Sequence, residues 1–178
     1  LPGRFTALDG WRGICALLVA VYHFRTTSHV DGLSLVRNAY LFVDFFFVLS
    51  GFVLAHAYGK RLEGGWSVFS FMRARIIRLY PLYLAGLLIG LMLAAAMVLR
   101  GWDATPLEQV AVMAVFGLLF LPAPPLYDFG GGHLFPFNGP SWSLFFELVA
   151  NFIYGLIARV LGWKLLSTIL IVGAVAVA

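Results

Sequence analysis

Arg12 and His23 stand eleven positions apart in "LDGWRGICALLVAVYHF", residues 8–24, a run otherwise apolar enough to enter a bilayer. Ionisable groups in such a run are costly to hold there and mark function more often than packing. Eleven helical residues turn through about 1100°, about 20° past three full turns, and rise about 16 Å. The two side chains therefore share one face, one near each end. A long ligand lying along it would meet a guanidinium suited to an anion at Arg12. At His23 it would meet an imidazole able to take or give a proton near neutral pH. The competing reading has Arg12 snorkelling to lipid phosphates and His23 resting at the interface.

Further ionisable residues bear on that choice. Asp44 lies five residues into the next apolar run. In an antiparallel neighbour it would match the depth of His23, where a carboxylate fixes one imidazole tautomer and stabilises the protonated form. Otherwise it caps its helix or pairs with an arginine. Glu147 in "SWSLFFEL" falls a turn or two inside the outer end of its segment, and would otherwise be a hydrated interfacial carboxylate. Arg75 and Arg78 in "RARIIRLYPLY" are three apart and so neighbours on one helical face. Paired guanidinium forks suit phosphate, although arginine clusters also do no more than set topology. Ser50-Gly51 permits close helix approach, and Ser50 as a nucleophile would lack a sequence-adjacent base. Cys15 is the one cysteine, a small packing residue that excludes an intrachain disulfide. His29, His56 and His133 are scattered, so no metal site is expected. "GGGH" near residue 131 is not a phosphate loop, since no strand precedes it.

The elements that must position these residues are membrane helices. Of 178 residues, 62% are hydrophobic and 11% charged, with mean hydropathy +0.94. A soluble domain of this size needs more polar surface. The expectation is an all-α, polytopic transmembrane bundle of five to six segments, multi-pass in the cell's inner membrane. The segments are residues 7–25, 39–58, 79–99, a short run at 110–121, 142–161, and one starting near Leu165 that the chain end cuts. The net charge of +4 is not a nucleic-acid patch. Lys60, Arg61, Arg73, Arg75 and Arg78 crowd one loop, as in cytoplasmic loops, so the partner is lipid and no nucleic acid is expected. Arg159 and Lys164 also fall inside if 110–121 does not fully cross. "PAPPLYDFGGGHLFPFNGP" then lies outside, too rich in Pro and Gly for regular structure. The chain starts without Met and reads as a piece of a longer protein, with no second domain.

Four of these stretches, in this order, resemble the N-terminal half of the membrane acyltransferase 3 family. They are "RGICALLVAVYH" for an Arg-x10-His motif, "FVDFFFVLSGFVL" for an Asp-Phe-Phe and Ser-Gly-Phe segment, "RIIRLYPLY" for Arg-x-x-Arg with a Pro-aromatic turn, and "GPSWSLFFEL" for Trp-Ser-Leu-x-x-Glu. The resemblance implies that residues 1–178 are the N-terminal part of one acyltransferase domain. The activity it implies moves an acyl group, acetyl first, from cytoplasmic acyl-CoA to a hydroxyl of an extracytoplasmic carbohydrate or cell-envelope acceptor. Such an enzyme transfers groups other than aminoacyl and needs no metal. Arg75 and Arg78 would hold the CoA phosphates and the pantetheine arm would pass Arg12. His23 would be general base or acyl relay, with Asp44 and Glu147 in the catalytic set. Ser50, Trp142 and Ser143 would contact substrate or pack. The alternatives are a transporter with a buried His23/Asp44/Glu147 path, which predicts a helix broken at the midplane, and a non-catalytic assembly subunit.

Overall fold

Apolar runs bounded by Gly, Pro and charged residues dictate where helices start and stop here. The computed structural model describes residues 6–24, 38–127, 129, 131–162, 165, 167, 168, 171 and 172. Among them all regular structure is helical: α1 (Thr6–Phe24), a 3-10 turn (Ala39–Leu41), α2 (Phe42–Glu63), α3 (Val68–Leu99), α4 (Leu107–Leu118) and α5 (Ser141–Ile157). The run Ala39–Glu63 and the helix α3 are long and apolar enough to cross a membrane, whereas α4, α5 and the apolar part of α1 are shorter. The expected five to six spans thus become five helices, two of spanning length. The segment expected from Leu165 lies largely outside the described residues.

The helix stops are chemically explicit. After α2, Trp66 N–H donates to Arg61 O and Gly65 N–H to Leu62 O. This is a Schellman stop, with Gly65 at φ +98°, a conformation glycine adopts without a Cβ clash. After α3, Trp102 bonds Met97 O and Gly101 bonds Val98 O, with Gly101 at φ +70°. In each stop an arginine at the helix end lies over the following tryptophan, Arg61 of the last turn of α2 on Trp66 at 4.6 Å and the α3 C-cap Arg100 on Trp102 at 5.2 Å. Ser67 caps α3 by accepting from Ser70 N–H. In the α3–α4 loop the Thr105 hydroxyl and N–H hold the Asp103 carboxyl below its usual range, the N–H at 2.8 Å.

The chain forms two compact units, Leu1–Tyr58 and Gly59–Ala178. In the first, α1 packs on the 3-10 turn, with Tyr22 and Tyr40 rings 6.3 Å apart. In the second, α3 is the spine, and both α4 and α5 pack against it. Pro81 sits inside α3 without ending it, so the turn expected at "YPLY" is continuous helix. Leu82, Ile89 and Leu93 are among the exposed large apolar residues of α3, a surface suited to lipid.

From Val68 to Leu99 α3 rises about 46 Å, more than the ~30 Å hydrocarbon core. Cysteines placed at Glu63 and at Ala104, in a Cys15→Ser background, are therefore expected to react with an impermeant thiol reagent from opposite sides of the membrane. Labelling of both from one side would mean that α3 does not cross.

Candidate functional site

The first unit holds three of the candidate residues. Arg12 and His23 belong to one unbroken helix, and Arg12 is half-buried. His23 occupies the last turn of α1, its side chain lying outside the described residues. Asp44 is exposed in the first turn of α2, directly after the 3-10 turn on which α1 packs. Tyr22 precedes His23, and its ring neighbour Tyr40 precedes Asp44 by one turn. The backbone therefore brings the His23 end of α1 and the Asp44 end of α2 together. Asp44 also lies where a carboxylate favours a helix N-terminus. Cys15 is buried, as a packing residue should be. Ser50 is half-buried, and Gly51 beside it has room for a Cβ among the described residues.

In the second unit, Phe71, Arg75, Tyr83 and Leu87 form an i, i+4 stripe on the buried face of α3. On α5 and its C-cap, Ser141, Leu144, Leu148, Asn151, Gly155 and Ala158 alternate three and four apart and form the seam against it. Gly155 lies beside Val68 and Phe71, and the Phe71 and Tyr154 rings meet edge-on at 6.4 Å. Arg159 Nε donates to Leu62 O at 3.4 Å, tying the exit of α5 to the end of α2.

Between these contacts Arg75 Nη2 donates to Glu147 Oε1 at 2.6 Å. The side chains are 5% and 19% exposed, so this ion pair is largely dehydrated. Breaking such a pair by removing one partner costs about 3–5 kcal/mol, because the other charge stays buried. The sequence reading put Arg75 at the cytoplasmic face and Glu147 near the outer end. The contact gives them one depth. It also separates the two arginines, since Arg75 is buried against α5 while Arg78 is exposed. Trp142 is exposed, in edge contact with Phe146, and Ser143 Oγ donates to Pro140 O at 2.9 Å.

The larger departure from expectation is the linker. α4 runs back along α3 only to the level of Tyr80 and Tyr83, where Leu118 O and Gly117 O accept from the two tyrosine hydroxyls at 2.7 and 2.6 Å. Those carbonyls are among the last four of α4, which lack partners within their own helix. The described residues of the 119–140 linker then pack on the middle of α3. Asn138 Nδ2 lies over Gly86 and donates to Tyr83 O at 3.4 Å, and a Cβ on Gly90 would stand 1.6 Å from Phe137 O. α5 continues from there to the start of α3. Thus α4 and α5 run the same way, antiparallel to α3, as two halves of one interrupted return. The sequence reading gave this linker no regular structure and no packing role. Its aromatic residues Phe129, Phe135 and Phe137 are buried in the core with Tyr83 and Leu87. Phe120 ends α4 at φ 56°, the left-handed position that glycine fills in the other two stops. Its ring stacks on Tyr83 at 3.9 Å. Stacking of about 0.5–1.5 kcal/mol is of the same order as the left-handed cost of about 1–2 kcal/mol.

Sequence reasoning missed Tyr80, Tyr83, Gly86, Gly90 and Asn138. The available signal was two glycines four apart in an apolar helix preceded by two tyrosines on its approach. Among the described residues no three His, Cys, Asp or Glu side chains converge on a possible metal site.

Comparison with known proteins agrees with this picture. A family model described as an acyltransferase domain, that of acyltransferase 3, matches residues 5–178. A curated relative, "Protein 2 in picA locus" of Rhizobium radiobacter, is 43% identical over 163 residues, covering 86% of this chain and 82% of the relative. No solved structure matches.

Proposed function

The chain belongs to the membrane-associated acyltransferase 3 family, and we propose that it serves acyl transfer from acyl-CoA, acetyl-CoA first, on the cytoplasmic side to a hydroxyl of an extracytoplasmic carbohydrate or cell-envelope acceptor. The observation that carries this reading is the unbroken α1, which holds Arg12 and His23 about 16 Å apart. His23 then takes the proton as the acceptor oxygen forms its bond to the thioester carbonyl carbon. The carbon–sulfur bond breaks, and the proton leaves with the CoA thiolate. Asp44 orients the imidazole and stabilises its protonated form. Arg12 steadies the arm of the donor.

Arg78 is the phosphate ligand in this scheme, because its side chain is exposed on α3, on the surface that the buried Arg75 does not share. Charge-assisted hydrogen bonds of this kind contribute about 1.5–3 kcal/mol each. Arg78→Ala is therefore expected to weaken CoA binding by roughly 10- to 150-fold, at about 1.4 kcal/mol per factor of ten. Arg78→Lys should recover part of that loss, since it keeps the charge and loses the fork. Calorimetry on the detergent-purified protein at low and high salt measures both. Unchanged affinity in Arg78→Ala would remove the donor site from this position.

One observation favours a transporter: the return along α3 is broken between α4 and α5, as discontinuous transport helices are. The break, however, is packed with Phe129, Phe135 and Phe137, and Asn138 is engaged by Tyr83 O. Release of free CoA from labelled acetyl-CoA, dependent on an added carbohydrate acceptor, separates the two readings.

A further inference from the structure

Resting on the acyl-transfer reading above, we propose that Arg75 and Glu147 touch no substrate and act as a positioning pair, whose ion pair seats α5 on α3 and so fixes the face from which Arg78 meets the donor phosphates. The two residues come from motifs 72 positions apart that the sequence assigns to donor binding and to catalysis. The structure joins them to each other. Arg75 lies in the buried stripe of α3, three residues before Arg78. Glu147 flanks the seam of α5 between Leu144 and Leu148, which pack on the core, and one turn before the buried Asn151. Around the pair, the seam of α5 offers small or weakly gripping residues: Ser141, Asn151, Gly155 and Ala158. The Ser141 Oγ and Asn151 Nδ2 atoms are buried with no hydrogen-bond partner among the described residues. Lipid gives two helices no hydrophobic drive to associate, so polar contacts and close packing must hold them. The Arg75–Glu147 bond is the direct side-chain salt bridge that joins α5 to α3. With α5 misplaced, the inner part of α3 that bears Arg78 loses the packing that orients it.

The discriminating substitution is the apolar double variant. A buried ion pair can often be exchanged for well-packed hydrophobic residues at no cost, whereas removing one partner is strongly destabilising. Arg75→Met and Glu147→Leu made singly are expected to lower the melting temperature by about 6–20 °C. Arg75→Met/Glu147→Leu together should restore it and return the KM for acetyl-CoA to within about threefold of the parent, well short of a tenfold loss. Arg75→Lys, which keeps the charge but not the geometry, should stay folded. Its KM for acetyl-CoA should rise about tenfold, with the acceptor KM unchanged. A folded double variant whose CoA affinity falls as far as that of Arg78→Ala would make Arg75 a phosphate ligand and overturn the proposal. So would a folded double variant whose kcat collapses with both KM values normal, because Glu147 would then be catalytic. A double variant no more stable than the singles would overturn it as well. If the parent protein neither binds CoA nor turns it over, the acyl-transfer reading fails by itself, and the four melting curves still decide whether the pair seats α5.

Discussion

Replacing His23 with alanine is expected to cut acyl transfer by about 10²–10⁴-fold while the protein inserts and accumulates as before. The magnitude is that of a general base, and neither Arg12 nor Cys15 on α1 can take its place. Arg12 is permanently cationic, and the buried Cys15 lies eight residues, about 12 Å, from position 23. The location supports the same outcome. His23 is in the last turn of α1, at the end where α1 packs on the turn leading to Asp44. A histidine that only rests at the membrane interface would tolerate alanine at little cost. Turnover of labelled acetyl-CoA by matched amounts of purified parent and variant decides between them. Retention of most of the activity would end the role assigned to His23 and leave α1 a plain spacer.

The second large effect is expected at Gly90. A Cβ there falls 1.6 Å from Phe137 O and 2.6 Å from the same carbonyl carbon. The clash is with backbone on both sides, so no rotamer change relieves it. The linker would have to lift from α3, pulling Asn138 from Tyr83 O and Phe137 from the core. Overpacking of yielding side chains costs about 1–3 kcal/mol, and displacement of a buried backbone segment exceeds that. Gly90→Ala should therefore leave little monodisperse protein after detergent extraction, in spite of alanine's advantage of about 1 kcal/mol in a helix. Gly139→Ala, where a Cβ meets nothing within 4 Å among the described residues, is the matched control and should behave like the parent. Equal yields and melting temperatures for the two variants would show that the linker does not rest on α3 as described.

The contrast between these positions explains what the sequence could and could not convey. The long apolar runs of α2 and α3 were legible because hydropathy is local, but the helices run past them. The expected loop at 59–78 holds the last turn of α2 and the first three turns of α3, where charged residues hid the helix from hydropathy. The short run at 110–121 was legible as short, re-entrant or interfacial as readily as spanning, and α4 is twelve residues. The linker was legible as irregular but not as buried. Its Pro and Gly content reports backbone regularity, while its depth is decided by a groove at Gly86 and Gly90 that its own residues do not announce. The site divides in the same way. The helical relation of Arg12 to His23 follows from one segment. The pairing of Arg75 with Glu147 follows from the antiparallel return of α5 along α3, which no spacing within either motif encodes. That is why two residues assigned to opposite faces meet at 2.6 Å.

The interrupted return has a consequence for biogenesis. α4 is about 18 Å long and α5 about 26 Å, each short of the ~30 Å that a self-sufficient spanning helix needs. Released alone into lipid, α4 would expose the Leu118 carbonyl that the Tyr80 hydroxyl otherwise satisfies. Neither half can partition as an independent unit. α3 has to be in place first, as a template whose tyrosines and glycines receive the later segments. Chain order from N- to C-terminus delivers it first. Assembly of this region is therefore ordered, with α3 as the template, and a lesion in α3 is expected to be felt as a failure of α4 and α5 to dock.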